Sequence, residues 1–299
     1  MSEAAGEGRQ TVLVTGGTGF VGRSVVAALR DRHEVRVLAR RADASTVDRV
    51  VVGDVTDAAS LTTAFAGVDT IVHLVGIIEE SRGRTFDAVI HQGTRSVVTA
   101  ARAAGVERLI FVSAIGAQDD PRYPYHQAKY RAETVVRGSG LATAIVRPSV
   151  IFGKGDGFIS VLAGVVRRFP ITPVVGDGSA RFHPIQVDDV AAAIARLVDD
   201  PALTDGSTYE LGGGKIYTYA QMLDAIARQL NVRRPRVHVP IGLMKLVVAA
   251  SAPLPKALRP PVTSEQLKML TLDNTTANSA TALLTGREPV ALEDGIAYL

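Results

Sequence analysis

The chain has 299 residues, of which 46% are hydrophobic and 21% are charged, and its formal net charge is +3 at pH 7. This composition predicts a globular protein with a sizeable core. The chain contains no cysteine, which excludes disulfides, thiolate zinc sites and a cysteine nucleophile.

The distribution of charge and hydrophobicity limits the classes of partner. Basic residues are scattered and aromatic residues make up 5%, so we expect no nucleic-acid partner. The polar segment 1–10 lacks the basic start and apolar core of a signal peptide, and no uncharged apolar run reaches the roughly 18 residues of a membrane-spanning helix. We therefore expect a cytoplasmic protein without a transmembrane segment. The histidines do not cluster at metal-ligand spacing, so we expect no metal site.

Strand-like and helical patterns alternate through the first half of the chain. Strand patterns occur at Val12–Thr15, Glu34–Ala39, Arg49–Gly53, Thr70–Val75, Arg108–Ser113 and Thr143–Arg147. Helical patterns occur at Val21–Arg30, Ala58–Phe65, Phe86–Ala104 and Tyr125–Arg137. Nearly continuous apolar strands separated by helices predict the α/β class, with a Rossmann-type doubly wound parallel sheet whose ligand crevice lies at the carboxyl ends of the strands.

Three glycines follow the first strand at the spacing of a dinucleotide-binding loop. Gly16 permits the tight turn, Gly19 permits close approach of phosphates, and Gly22 permits close packing of the next helix. The start of that helix offers free N–H groups and a partial positive charge to an anion. We therefore predict that the loop binds the pyrophosphate of a dinucleotide. The predicted cofactor contacts in this loop also include Thr18, Phe20 and Val21.

The second strand ends in Arg40 and Arg41, where NAD-binding sites usually carry an acidic residue for the ribose hydroxyls. Arginine pairs instead with a ribose 2′-phosphate, which favours NADP over NAD. The alternative is that both are solvated loop residues. Asp54 and Val55 follow the third strand and are predicted to contact the adenine, although Asp54 also suits a capping role.

The fourth strand closes with Leu74, Val75 and Gly76, which we predict to lie against the cofactor. His73 begins this run, and we interpret it, like His126 and His183, as a structural residue rather than a crevice residue.

Tyr125 and Lys129 are the predicted catalytic pair. Their i, i+4 spacing places phenol and ammonium on one helix face, where the cation is expected to lower the pKa of the phenol. Lys129 is also predicted to bind the nicotinamide ribose. The alternative is a surface helix in which Lys129 pairs with Glu133. Ser113, at the tip of the fifth strand, is a candidate hydrogen-bond donor to a substrate carbonyl, although serine is also a common turn residue.

The regular alternation of strand and helix patterns ends after Pro148. Pro148 is also a predicted cofactor contact. We divide the chain into a dinucleotide-binding domain at 1–150 and a smaller C-terminal substrate lobe at 151–299, partly intertwined with the first. Segments 153–157 and 170–178 are rich in loop residues, and helical patterns recur at Val187–Val198, Tyr219–Leu230 and Gly242–Ala250. The last of these is interpreted as core packing, or alternatively as a helix that docks on a membrane or receives a lipid tail.

These motifs resemble the short-chain dehydrogenase/reductase superfamily in its extended or atypical form. Segment 15–22 resembles the family's cofactor loop, Tyr125 and Lys129 match its active-site pair, and segments 147–153 and 182–191 resemble its later signatures. Segments 73–77 and 86–98 and the short gap from Ser113 to Tyr125 resemble bacterial relatives of the NAD(P)H-binding accessory subunit of respiratory complex I. Other relatives of that subgroup are associated with ubiquinone biosynthesis.

Two departures from the family pattern bear on activity. Extended members usually carry an asparagine where this chain has Ile90, and epimerase-type members often carry further serines where it has Ala114. A proton relay through those groups is therefore in doubt.

Three functions follow from the resemblance. The first is an NADPH-dependent oxidoreductase that reduces a carbonyl or quinone-like small molecule. The second is a non-catalytic NADPH-binding accessory or assembly protein of a respiratory or quinone-related complex. The third is an NAD-dependent sugar-nucleotide epimerase or dehydratase. The resemblance is also compatible with a homodimer and with peripheral association with a membrane or complex.

Overall fold

Seven parallel strands form the central sheet of the computed structural model, which describes residues 9–42, 49–81, 83–251, 267–268 and 272–299. All strands within the described residues are β1 Thr11–Thr15, β2 Glu34–Ala39, β3 Val50–Val52, β4 Thr70–His73, β5 Arg108–Val112, β6 Ala142–Pro148, β7 Ile151–Phe152, β8 Thr172–Val175, β9 Arg181–Phe182, β10 Ile185–Gln186, β11 Thr208–Leu211, β12 Tyr217–Thr218 and β13 Arg236–Val239. Three pairs of short strands lie outside the central sheet, namely β7 with β10, β9 with β12 and β8 with β13. The order across the large sheet is β11-β6-β5-β4-β1-β2-β3. The Rossmann-type α/β prediction is therefore confirmed.

Helices cover both faces of this sheet. The helices within the described residues are α1 Phe20–Leu29, α2 Ala58–Ala64, α3 Gly93–Ala103, α4 Pro124–Arg137, α5 Ile159–Arg168, α6 Val187–Asp199, α7 Tyr219–Gln229, α8 Ile241–Ser251, α9 Thr281–Thr285 and α10 Leu292–Gly295. Helices α1 and α6 lie on one face of the sheet, and α2, α3 and α4 lie on the other. Side chains of β1 alternate between two cores, since Val12 and Val14 pack with α1 and α6, whereas Leu13 packs with α2, α3 and α4. None of the helices within the described part of the chain is long and apolar enough to cross a membrane.

A third core lies outside the large sheet. It gathers side chains from α5, α7 and α10 around the short strands β8, β9 and β12, with Phe152, Phe182 and Tyr217 among its fully buried members. The division at residue 150 stays a prediction. The structure nevertheless places α6 and β11, both from the second half of the chain, on the large sheet.

Several element predictions need correction. The segment Phe86–Ala104 is not one continuous α-helix, because a π-helical turn at Asp87–Gln92 precedes α3. The loop-rich segment 170–178 contains β8, which pairs in parallel with β13. The fourth strand ends at His73 rather than Val75, and the fifth ends at Val112 rather than Ser113. Because β4 ends before Leu74, the predicted cofactor residues Leu74, Val75 and Gly76 lie in the turn that follows the strand.

Candidate functional site

The glycine loop between β1 and α1 forms the centre of the predicted cofactor site. Gly16 has a φ of +74°, a left-handed conformation that glycine adopts without strain. A Cβ atom on Gly22 would overlap the carbonyl oxygen of Gly16, so the close packing of helix and turn requires glycine. Gly19 is the extended N-cap residue of α1, and its N–H donates to Gly16 O at 3.0 Å.

The first turn of α1 offers donors to an anion. Arg23 N makes the first bond of the helix, to Gly19 O at 3.1 Å. The backbone N–H groups of Phe20, Val21 and Gly22 therefore have no partner within the described ranges, as is usual for the first turn of a helix. The Thr18 carbonyl is held by Arg23 Nη1 at 2.9 Å, which fixes the loop beside these donors. The arrangement fits a pyrophosphate.

The neighbouring strand ends converge on this loop. A Cβ atom on Gly16 would lie 3.3 Å from the backbone of Leu74 and of Val75, so the turn after β4 packs directly on the glycine loop. A Cβ atom on Gly76 would lie 3.5 Å from Lys129 Nζ. Pro148, at the end of β6, is buried, and its carbonyl accepts from Ile115 N at 3.1 Å.

Arg40 and Arg41 are both exposed just beyond β2, on the same edge of the sheet as the glycine loop. Neither forms an ion pair with any residue that the structure describes. Two exposed cations beside such a glycine loop are suited to bind a phosphate.

The turn after β3 is partly occupied by its own contacts. The Asp54 carboxylate accepts from Thr56 N at 2.9 Å and from its hydroxyl at 2.8 Å, which forms a turn before α2 rather than a helix cap. Val55 is buried, and a Cβ atom on Gly93 would lie 3.1 Å from its side chain. Asp57 caps α2 by accepting from Ala59 N at 3.2 Å.

Helix α4 brings the predicted catalytic pair to this edge. Pro124 occupies its first turn, and Tyr125 and Lys129 lie one turn apart on the inner face. Lys129 is buried, and its Nζ donates to Val112 O at 2.7 Å and lies 5.1 Å from the centre of the Phe111 ring. The lysine therefore sits between the ends of β4 and β5. The alternative of a surface helix is wrong, because Lys129 and Glu133 are both buried.

The expected lowering of the Tyr125 pKa is not found in the structure. Burial raises the pKa of Tyr125 to about 12, because the phenolate loses more hydration than the neutral phenol. Its ring packs edge-on against Phe86 and His126, at centroid distances of 5.7 and 5.2 Å. Burial also lowers the pKa of Lys129 to about 8, partly offset by the charge of Glu133.

Glu133 anchors the far end of the same helix face. Its carboxylate accepts two hydrogen bonds from Arg147, at 2.8 and 2.7 Å, and one from Arg137 at 2.9 Å. Burial alone would raise the pKa of Glu133, but hydrogen bonds from Arg147 and the charges of both arginines hold it below its usual value. Ser113 Oγ is buried nearby, close enough to Glu133 to contribute to this lowering, yet without a hydrogen bond of ordinary geometry. The serine hydroxyl is therefore directed towards Glu133 in the structure.

His73 belongs to a buried chain of hydrogen bonds, as its structural interpretation predicts. The Thr94 hydroxyl donates to Ile90 O at 2.6 Å, so Thr94 Oγ accepts from His73 Nε2–H at 3.1 Å. His73 Nδ1 is then left to accept from the Thr15 hydroxyl at 2.6 Å. Burial, with a smaller effect of the Lys129 charge, lowers the pKa of His73 to about 3, so the ring is neutral.

The other two histidines differ in exposure. His126 is buried beside Tyr125, and burial lowers its pKa to about 4. His183 is half-buried, and its backbone N–H donates to Asn274 O at 3.1 Å. Across the described residues, no group of three histidine and acidic side chains could hold a metal ion.

Ile90 and Ala114, the two apolar residues at positions where the family usually carries polar ones, have different environments. Ile90 is fully buried in the π-helical turn and packs with the core beneath α4. Ala114 is partly exposed in the turn after β5. No polar side chain therefore stands at either position of the family pattern.

Sequence reasoning missed two polar contacts that shape the lobe. Asn274 is buried and accepts from Ser149 Oγ at 2.6 Å and from Val150 N at 3.1 Å, which ties the C-terminal segment to the end of β6. The buried Asp156 caps α5 by accepting from Ser160 N at 2.9 Å and also accepts from the Tyr298 hydroxyl at 2.6 Å. The only sequence signal was Asp156 itself, an aspartate just before an apolar run.

The site thus combines a glycine turn with free backbone donors, two exposed arginines, and a tyrosine–lysine pair along one sheet edge. Such an arrangement can hold a nicotinamide dinucleotide and move a proton at a hydroxyl or carbonyl group.

Comparisons with known proteins identify relatives of this chain. The model of the NAD dependent epimerase/dehydratase family matches residues 12–212. The ceramide reductase of Caulobacter vibrioides is 32% identical over 244 residues, which cover 79% of this chain and 75% of that protein. The mitochondrial NADH dehydrogenase (ubiquinone) 1 alpha subcomplex subunit 9 of Arabidopsis thaliana is 27% identical over 285 residues, 89% of this chain and 71% of that protein.

A solved structure shows the same fold. The dTDP-glucose 4,6-dehydratase of Streptomyces venezuelae, crystallised with NAD, aligns with a TM-score of 0.72 at 23% identity, covering 97% of this chain and 95% of the other.

Proposed function

The chain belongs to the NAD-dependent epimerase/dehydratase family of extended short-chain dehydrogenases/reductases, and we propose that it is an NADPH-dependent oxidoreductase acting on a carbonyl or quinone-like substrate. The observation that carries the proposal is the convergence of Tyr125 and Lys129 on the sheet edge that holds the glycine loop. A module that only binds the dinucleotide has less need of the phenol.

The protonation state of Tyr125 favours reduction over oxidation. With a pKa of about 12, its hydroxyl is protonated at neutral pH and can donate a proton to a carbonyl oxygen. No hydrogen bond within the described residues engages this hydroxyl, so it is available to a substrate. A bound nicotinamide dinucleotide supplies the hydride.

Lys129 holds a positive charge beside the phenol. Its pKa of about 8 leaves it mostly protonated at pH 7, and Val112 O fixes its position. It is the residue that would bind the nicotinamide ribose. Ser113 directly follows Val112 and would orient the substrate carbonyl if its buried hydroxyl turned from Glu133 towards the crevice.

Arg40 and Arg41 support NADPH as the cofactor. They are exposed cations at the end of β2, where a 2′-phosphate would add charge-assisted hydrogen bonds. The relative named as a ceramide reductase supports a reductase that acts on a lipid-like molecule.

A second candidate is a non-catalytic NADPH-binding subunit. It is favoured by the apolar Ile90 and Ala114, and by the relative named as a subunit of NADH dehydrogenase. In that function the tyrosine would be dispensable for binding, and the protein would serve an assembly rather than turn over substrate.

Calorimetric titration of nucleotide-free protein with NADPH, NADP, NADH and NAD tests the cofactor. We expect tighter binding of the 2′-phosphorylated pair by about tenfold or more, lost in Arg40→Asp but kept in Arg102→Asp, which changes an exposed arginine on α3. A preference for NAD would overturn the proposal and favour the sugar-nucleotide epimerase or dehydratase. NADPH binding without turnover of any carbonyl or quinone would favour the accessory subunit.

A further inference from the structure

Helix α8 has two different apolar stripes. At 100° per residue, Ile241, Met244 and Val248 fall on one side of the helix, and they pack against the third core. Leu243, Leu246 and Val247 fall on the other side. These three side chains remain 51%, 65% and 44% exposed. Core packing therefore accounts for only one side of α8, contrary to its interpretation as a core helix.

The neighbouring elements add further exposed hydrophobic side chains. Phe169, at the end of α5, is 45% exposed, and Val237 in β13 is 41% exposed. Strands β8 and β13 pair in parallel, and Thr172 N donates to Pro235 O at 2.9 Å, so the segments that precede both strands lie side by side. Helix α8 begins at the other end of this strand pair, where Gly176 N donates to Val239 O at 2.8 Å. Four-residue strands are about 13 Å long, so these features lie within one small region.

Basic residues outnumber acidic ones in this region, where Asp177 follows Gly176 directly and lies near His238. Segments 167–176 and 231–251 carry no aspartate or glutamate. Their cations are Arg167, Arg168, Arg233, Arg234, Arg236 and Lys245. Of these, Arg236 pairs with Asp224 and Arg167 bonds to the carbonyl of Leu299. The remaining four are exposed and form no ion pair within the described residues.

We propose that α8 and these basic segments, here called the α8 surface, bind an anionic membrane from one side. The apolar stripe would enter the boundary between headgroups and acyl chains, and the arginines would contact lipid phosphates. Eleven residues span about 16 Å, too short to cross a bilayer, so the helix would lie in the plane of the membrane.

Charge selects the membrane over a second copy of the chain. A two-fold interface built on the α8 surface would bring like charges together, whereas phosphatidylglycerol headgroups carry the opposite charge. The inference depends on exposure and charge at a surface that the proposed catalytic function does not use.

Vesicle flotation tests the inference, with phosphatidylcholine vesicles prepared with and without phosphatidylglycerol. We expect the full-length protein to float with the anionic vesicles and to be at least about tenfold less bound without phosphatidylglycerol. The variant Leu246→Ser/Val247→Ser should lose most of the binding. Leu283→Ser is the matched control, because Leu283 is 76% exposed on α9, outside the α8 surface.

A second set of variants tests the contribution of the arginines separately from that of the apolar stripe. Arg233→Ala/Arg234→Ala should weaken binding and its salt dependence, whereas Arg95→Ala/Arg102→Ala on α3 should leave both unchanged. Unfolding curves would confirm that all variants are folded. Failure of the native protein to float with anionic vesicles would overturn the inference. So would a dimer, measured by sedimentation, that Leu246→Ser/Val247→Ser abolishes.

Discussion

Helices α4 and α8 depart from the usual burial pattern in opposite directions. Helix α4 buries charged and polar groups, Lys129, Glu133 and His126, inside the large sheet layer. Helix α8 exposes leucine and valine on its outer side. Within α4 the buried charges find partners, namely Val112 O for the lysine and two arginines for the glutamate. The apolar stripe of α8 has no such partner among the residues that the structure describes.

The two helices show that buried charges and exposed apolar side chains are stabilised in different ways. A buried charge that is fully hydrogen-bonded is retained at a cost, and such groups often form functional sites. An exposed apolar stripe is compensated only when something else covers it. We therefore place chemistry at α4 and association at α8, and three predictions test this contrast.

The largest effect is expected at Tyr125. Tyr125→Phe removes the proposed proton donor, so carbonyl reduction should fall about 10³-fold, equivalent to roughly 4 kcal/mol of transition-state stabilisation. NADPH oxidation measured under saturating cofactor gives the rate. The free energy of unfolding should change by less than about 0.5 kcal/mol, since no described residue bonds to the hydroxyl.

Tyr130→Phe is the control for this change. It lies on the same helix but is 37% exposed, so its rate should stay within about twofold of the native rate. An equal loss of activity in both variants would remove Tyr125 from the mechanism.

A smaller effect is expected from Glu133→Gln, on stability. The substitution leaves Arg147 without its bidentate partner beside a fully buried position, and it should lower the free energy of unfolding by about 3 kcal/mol. Urea denaturation at pH 7 measures the loss. Asp224→Asn breaks the more exposed pair with Arg236 and should change stability by about 1 kcal/mol or less. Equal losses would show that the α4 ion pair has no special role in the fold.

The smallest effect is expected on the outer side of α8. Leu246→Ser should change the free energy of unfolding by less than about 0.5 kcal/mol, because its side chain contacts mainly solvent. Met244→Ala, on the inner side of the same helix, should lower it by about 2 kcal/mol. A large loss from Leu246→Ser would show that the stripe is buried within the protein, and the contrast between α4 and α8 would disappear.

Local sequence patterns predicted the elements that carry strong spacing signals. The glycine loop, the alternating strands and the Tyr125–Lys129 pair were found because each depends on residues close together in the chain. Their roles in binding and catalysis stay predictions. The family was likewise predicted correctly from these motifs and is confirmed by the match over residues 12–212.

The remainder depended on contacts that a local pattern does not contain. The π-helical turn adds one residue to a helical repeat, and its hydrogen-bonded link from Ile90 to Thr94 and His73 crosses to the sheet. The raised pKa of Tyr125 comes from its burial, in packing that includes Phe86 from a distant part of the chain. Asn274 reaches Ser149 across more than a hundred residues. Each of these requires the tertiary fold.

The late arrival of β11 in the large sheet has a consequence for synthesis on the ribosome. Until Val187–Asp199 emerges, the face of the sheet that carries α1 lacks α6, and β6 stays an open strand edge until Thr208–Leu211 follows. A nascent chain therefore exposes the unpaired edge of β6 while the segment between β6 and β11 is translated, and it exposes apolar side chains of the sheet until α6 has emerged. Because unpaired strand edges promote aggregation, the interval before β11 emerges is the stage of synthesis at which the chain is most exposed to it.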